Sequence, residues 1–152
     1  MPVFDFRFTV PASLDAVRAF HGDTSALRTL TPPPTIVQLH AVEPLAEGSV
    51  SRFTLWLGPV PIAWTAVHRN VSGTGFTDVQ ASGPVAKWEH THTFVPLAEN
   101  LTEVREHIEF EHFSGLRGLF TRVLFARPNL LAMFTYRRWI TRRRLRQTTQ
   151  SA

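Results

Sequence analysis

Residues 87–111 read KWEHTHTFVPLAENLTEVREHIEFE, two alternating runs joined at the turn residues Glu99 and Asn100. Alternation at period two marks strands with one buried face. Lys87, Glu89, Thr91, Thr93, Glu103, Arg105, His107, Glu109 and Glu111 share the solvated face. Trp88, His90, His92, Phe94, Val104, Glu106, Ile108 and Phe110 share the other, so a core-facing surface carries two histidines and a glutamate. A hairpin closed near Asn100 sets His92 opposite Glu106.

The alternation continues upstream. Ile36–Val42, Ser49–Leu57, Ile62–Val71, Phe76–Ala81 and Ala86–Val95 are strand segments, and Thr102–His112 completes the hairpin. Their breaks carry turn residues: Glu47-Gly48, Gly58-Pro59-Val60-Pro61, Ser72-Gly73-Thr74-Gly75 and Gly83-Pro84. Consecutive strands with such breaks form an antiparallel meander. Phe4, Phe6, Phe8 and Val10 alternate in a further strand that Pro11 ends. Two short helices follow it, over roughly Leu14–His21 with Ser13 as its cap, and around Thr24–Leu30 before Pro32-Pro33-Pro34. After Gly115, Leu116, Leu119, Phe120, Val123 and Leu124 recur at helical spacing, and Leu130, Leu131 and Phe134 continue it. Pro128 kinks or restarts this long helix. The order predicts an α+β helix-grip fold: a curved seven-stranded antiparallel sheet wrapped around a long C-terminal helix, with two short helices after the first strand.

Hairpin arithmetic carries the parity backwards. The Gly83-Pro84 turn places His90 near Asp78, and the Ser72–Gly75 turn places Asp78 near His68. A Gly58–Pro61 turn pairs Trp56 with Trp64 and puts Arg52 near His68. The expected inward row is therefore Arg52, His68, Asp78, His90, His92 and Glu106 among Trp56, Trp64 and Trp88.

Several segments resemble the SRPBCC or START-like superfamily, and more closely its small bacterial cyclase/dehydrase-like members, which are related to polyketide cyclases. The resemblance rests on Phe8-Thr9-Val10-Pro11-Ala12, Leu30-Thr31-Pro32-Pro33, Glu47-Gly48, Gly58-Pro59 with Trp64, and Gly75-Phe76-Thr77-Asp78-Val79-Gln80. It continues through Gly83-Pro84, Trp88-Glu89-His90-Thr91-His92-Thr93-Phe94 and Phe134-Thr135-Tyr136-Arg137-Arg138. It implies a cavity for a lipid- or polyketide-like ligand between sheet and helix. It does not imply catalysis, since the superfamily includes carriers and regulators as well as cyclases.

Three readings of the inward row stand side by side. In one, histidines and carboxylates simply satisfy each other, because a buried polar group without a partner costs about 1–3 kcal/mol. In the second, His68, Asp78, His90, His92 and Glu106 orient the polar end of a ligand whose body meets Trp64, Trp88, Phe94, Phe110, Phe120 and Phe134. In the third, His90 or His68 is a general base with Asp78 orienting the imidazole, as a cyclase, aromatase or dehydratase would need. His90-x-His92 with Glu106 could also hold zinc or iron, but no signature supports it, and neither metal nor cofactor is expected.

Composition narrows the classes. The chain has 152 residues, 43% of them hydrophobic and 18% charged, which fits one domain spanning 1–152. With no cysteine it has no disulfide, thiolate metal site or cysteine nucleophile. No serine lies in a nucleophile elbow, and Gly73-Thr74-Gly75 lacks the rest of a phosphate loop. No window approaches the roughly 20 apolar residues of a membrane helix, and Asp5 and Arg7 interrupt any leader-like start, so a cytoplasmic protein is expected.

The net charge of +4 is concentrated in an Arg-rich helix end at 137–148. Without the six arginines of 137–146, the chain holds 10 basic and 12 acidic residues, so nucleic acid is not an expected partner. The partners left open are a small hydrophobic ligand, an anionic membrane or acidic surface met by Arg137, Arg138, Arg142, Arg143 and Arg144, and a second copy of the chain.

Overall fold

Strand β1 (Val3–Val10) ends at Pro11, and Ser13 caps α1 (Leu14–Gly22), its Oγ accepting the Ala16 N–H at 3.2 Å. Helix α2 (Ala26–Leu30) leads into six consecutive strands: β2 (Ile36–Val42), β3 (Val50–Leu57), β4 (Val60–Ser72), β5 (Gly75–Ser82), β6 (Lys87–Ala98) and β7 (Leu101–Glu111). They form a seven-stranded antiparallel sheet in the order β1-β7-β6-β5-β4-β3-β2. Helices α3 (Gly115–Leu124) and α4 (Arg127–Gln150) complete the chain. This computed structural model describes residues 1–150, with side chains through Gln147; the last two residues of the expected 1–152 span, and the side chain of Thr148 in the Arg-rich end, lie outside the described residues.

The helical pattern after Gly115 breaks in two because Pro128 sits in the first turn of α4, where a missing N–H is harmless. The Asn129 side chain secures the joint by donating to the Val123 carbonyl at 2.8 Å. Helix α4 then presses Leu130 and Phe134 onto the concave face of the sheet, against Phe4, Trp64, Trp88 and Ile108. The Phe134 ring is fully buried, 5.3 Å from Phe4 and 5.5 Å from His90. Farther along α4, Leu145 joins a second cluster with Phe8, Val10, Val17, Phe76, Phe94 and Val104. This is the helix-grip arrangement. Among the described residues, no helix is long and apolar enough to cross a membrane.

The expected register holds from β7 back to β4: His92 faces Glu106, Asp78 faces both His90 and His68, and the alternation is kept. It fails on β3. Leu57 pairs with Val60, so the connection is the two residues Gly58 and Pro59 rather than four, and Trp64 faces Phe53 while Trp56 faces Pro61. Gly58, at φ +58, followed by proline suits a type II′ hairpin, whose twist matches that of the strands. The odd shift exchanges the two faces of β3. Arg52 is exposed opposite Thr65, and Trp56 donates its indole N–H to Gln38 Oε1 at 3.0 Å on the outer surface. Ser51, Phe53, Leu55 and Leu57 point inward instead.

Phe134→Ala removes the ring on which α4 and the sheet meet, and a loss of about 3–5 kcal/mol is expected in urea denaturation. Arg52→Ala, on the outer face, is expected to change stability by less than about 0.5 kcal/mol.

Candidate functional site

The register of β4 to β7 produces a continuous polar ladder on the concave face. His68 Nε2 lies 3.1 Å from Asp78 Oδ1. Asp78 Oδ2 accepts from His92 Nε2 at 3.2 Å. His92 Nδ1 lies 2.8 Å from Glu106 Oε2, an ion-pair contact too bent to be a hydrogen bond. The same Glu106 oxygen accepts the His90 Nε2–H at 2.8 Å. Histidine and carboxylate therefore alternate through five residues, in the order His68, Asp78, His92, Glu106, His90. The His90 and His92 rings lie 4.0 Å apart between centroids, tilted by 40°. At its outer end, His68 Nδ1 lies 2.9 Å from Ser49 Oγ.

Two further groups approach from the helices. His21, in the last turn of α1, places its ring 6.1 Å from His92 and 5.0 Å from Phe94, and its Nδ1–H donates to the Val17 carbonyl at 2.9 Å. Arg137, one turn after Phe134 on α4, holds its guanidinium 5.1 Å over that ring, and its Nε is buried without a hydrogen-bond partner. Neither is visible in strand parity. Their signal is helical spacing: Arg137 follows Phe134 by three, and His21 follows Val17 by four.

Burial and charge sort these groups. Burial disfavours a charge on His92, but Glu106 and Asp78 outweigh it and raise the pKa from 6.5 to about 9. For His90, burial and the neighbouring His92 charge lower the pKa to about 4. Burial lowers His21 to about 4 as well. Asp78 and Glu106 stay below their ordinary values because the histidines, His92 foremost, overcome the desolvation that opposes ionisation. Burial lowers Arg137 too, yet a guanidinium keeps its proton. Near neutral pH the cluster thus holds two anions, Asp78 and Glu106, and two cations, His92 and Arg137, with His21 and His90 neutral.

The cluster forms one end of a cavity of about 310 Å³ between sheet and α4. Its apolar walls include Phe53, Ile62, Trp64, Trp88, Phe125 and Met133. Trp64, His68, Asp78, Trp88, His90, His92 and Phe134, expected from the sequence, all line it. Glu106 does not, lying behind the two histidines at 4% exposure. Phe94 is buried in the second cluster, and Phe110 packs beside Trp88, ring to ring at 5.6 Å. Phe120 was expected at the cavity and instead points to solvent. Helix α3 buries its small face, Gly118 and Thr121, because Thr121 Oγ1 bonds His112 Nδ1 at 2.9 Å and a Cβ on Gly118 would lie 1.7 Å from the Phe113 carbonyl oxygen. The orientation of His90 also differs from expectation: Glu106 holds it, while Asp78 serves His92 and His68.

The arginine cluster divides. Arg137 turns into the cavity. Arg142 donates Nε–H to the Thr9 carbonyl at 2.7 Å and ties α4 to β1. Arg138 lies 5.8 Å over Phe6, and Arg143 lies 5.4 Å over the exposed Trp139.

Asp78, His90 and His92 offer donor atoms within 4.8 Å of one another. Ligands about 2.0–2.1 Å from a tetrahedral zinc stand roughly 3.4 Å apart. Asp78 Oδ2 and His92 Nε2, 3.2 Å apart, come near that spacing, but the His90 Nε2 and both His92 nitrogens are already set against carboxylates, which describes an ion-paired network.

No family model matches the chain, and no curated protein matches it. Solved structures do. A START superfamily protein from Mycobacterium smegmatis superposes with a TM-score of 0.70 at 15% identity, covering 96% of this chain and 98% of that one. The fold is START-like, of the SRPBCC type. Two other structures with this START-like fold are an aromatase/cyclase from a Streptomyces species and norcoclaurine synthase from Thalictrum flavum. The first has a TM-score of 0.69 at 15% identity over 93% of this chain and 94% of its own. The second has 0.68 at 17% over 95% and 87%. Such similarities establish the START-like architecture.

The buried charges give a pH signature. His92, raised to about 9 when folded, contributes stability that is complete below pH 6.5 and lost as pH rises through 9. His21 and His90, lowered to about 4, contribute stability present above pH 6.5 and lost as pH falls towards 4. Melting temperatures measured from pH 4 to 10 are expected to peak near pH 6.5. His92→Gln should remove much of the alkaline decline, and His90→Gln should soften the acid one. Glu106→Gln, which strips a buried cation of its partner, is expected to cost about 3–5 kcal/mol.

Proposed function

We propose that this protein binds one small amphipathic molecule, lipid- or polyketide-like in character, and holds it without turnover. The apolar body lies against Phe53, Trp64, Trp88 and Met133, and the polar head meets Arg137 and His90 at the end of the ladder. The observation that carries this reading is the pairing of the network: each carboxylate in the cluster lies within ion-pair distance of a histidine, while Arg137 Nε, buried and without a hydrogen bond, is left to serve a ligand oxygen, and Asp78 Oδ1, also without a hydrogen bond, is left as an acceptor. A cavity with apolar walls and a few convergent polar groups is the usual form of a small-molecule site, and about 310 Å³ lies at the small end of the range for such pockets. The START-like neighbours support a ligand of this class; the norcoclaurine synthase structure holds dopamine and hydroxybenzaldehyde.

Acid–base chemistry is the weaker reading on the same geometry. His92, the protonated histidine, has both nitrogens against carboxylates. His90 Nδ1 is the ring nitrogen left over, but at a pKa of about 4 it is a poor base near neutral pH.

Native mass spectrometry of the purified protein, followed by denaturing extraction, tests the proposal. A single small amphipathic molecule carried at one equivalent and recovered chemically unchanged after incubation is the expected result. Met133→Trp, which fills the cavity from α4, and Arg137→Leu, which removes the head-group donor, should each lower its occupancy at least tenfold. A clean protein mass together with no thermal shift from a panel of fatty acids, isoprenoids and aromatic polyketides would refute the binding reading, and conversion of the bound molecule would refute the absence of turnover.

A further inference from the structure

We propose that α3 is a docking element for the surface of an anionic lipid bilayer. Leu116, Leu119, Phe120 and Val123 fall at the i, i+3, i+4 and i+7 positions of one helix face, and they are 86%, 59%, 47% and 65% exposed. Ordinarily such a stripe faces the core. Here the helix is turned the other way and fixed there. Its inward face is made of Gly118 and Thr121, and the approach of Gly118 to the Phe113 carbonyl leaves no space for even a methyl group. The stripe cannot roll inward without losing that contact and the Thr121–His112 hydrogen bond.

Charge identifies what covers it. All 12 acidic residues of the chain lie at or before Glu111, and residues 112–152 contain nine arginines and no acid. Arg117, Arg122 and Arg127 flank the apolar stripe and are themselves exposed. Arg122 and Arg127 also line, with Glu111, a surface groove beside the first residues of β1. A helix with large apolar residues on one side, arginines beside them and no acid lies in a membrane interface, with its apolar face at the acyl boundary and its cations among anionic headgroups. A two-fold contact between copies of the chain would set the same arginines against each other, so a bilayer fits this face better than a second copy. Leu124 at the end of α3, and Phe125 after it, line the cavity, so a docked helix would place the cavity wall at the lipid surface.

Sedimentation of the full chain with vesicles tests this without any cavity ligand, so its outcome is separate from that of the binding proposal. Binding to phosphatidylglycerol/phosphatidylcholine vesicles is expected, with at least tenfold weaker binding to pure phosphatidylcholine. L119E/F120E changes two exposed side chains and should keep the melting temperature while reducing binding at least tenfold. R122Q/R127Q should reduce it about twenty-five-fold, because each arginine near an anionic surface is worth about fivefold. The proposal is overturned if the wild-type chain stays in the supernatant with anionic vesicles, or if L119E/F120E sediments as well as the wild type. It is equally overturned if light scattering shows a dimer that L119E/F120E dissociates.

Discussion

Glu106 is 4% exposed on β7, between β1 and β6, where an unpaired carboxylate would carry a desolvation penalty of several kcal/mol. It is tolerated because His90 and His92, two residues apart on the neighbouring strand, both reach the same oxygen at 2.8 Å. That convergence constrains the rest of the molecule. The charge on His92 is held by Glu106 first and then by a second anion on its far nitrogen, Asp78 on β5, and Asp78 in turn meets His68 on β4. A slip of one residue in any of the three hairpins would turn one of these groups to the outer face and leave its partner buried and alone. The ladder therefore acts as a register pin for β4 to β7 as well as the polar end of a cavity.

The cavity follows from the same constraint. Helix α4 meets the sheet through Leu130 and Phe134 on one side and through Leu145 farther along. Between these contacts the sheet presents charged and hydrogen-bonding groups that an aliphatic helix face cannot cover without orphaning them. The chain answers with Arg137, placed one turn after Phe134, whose positive charge balances the second carboxylate. A guanidinium over an aromatic ring is a loose filling for a core, and space remains beside it. In this fold the pocket is the region where the sheet's polarity prevents close packing.

How much of this could be read in the sequence depends on how far each inference had to travel. Within the β6–β7 hairpin, period-two alternation fixed faces and partners, because Trp88, Phe94, Ile108 and Phe110 leave no doubt about the inner side. The Gly83-Pro84 and Ser72–Gly75 breaks carried the register on to Asp78 and His68. At Gly58 the inference broke, since Gly58-Pro59-Val60-Pro61 reads as a four-residue loop and folds as a two-residue turn, exchanging Arg52 for Ser51 and Trp56 for Phe53 on the inner side. Helix α3 failed for another reason. A hydrophobic stripe says which residues share a face but not which face is buried, and here the small residues Gly118 and Thr121 won by steric fit. His21 and Arg137 reach the site from helices at opposite ends of the chain, where no strand parity applies.

Charge balance narrows the chemistry of the proposed ligand one step further. Asp78, Glu106, His92 and Arg137 cancel one another, so a neutral head group with a carbonyl or hydroxyl oxygen can accept from Arg137 Nε without upsetting that balance. A carboxylate entering the same place would add an unbalanced anion among groups already desolvated, which is costly in a low-dielectric site. The cluster has one inexpensive response, protonation of His90 at Nδ1, the nitrogen that Glu106 does not hold. An added anion beside that ring acts in the direction opposite to the burial and the His92 charge that keep it near 4. A neutral ligand should therefore bind with no proton uptake, and an acidic one should take up close to one proton as it binds. Isothermal titration in two buffers of different ionisation enthalpy separates the two cases, because only proton uptake makes the apparent binding enthalpy depend on the buffer.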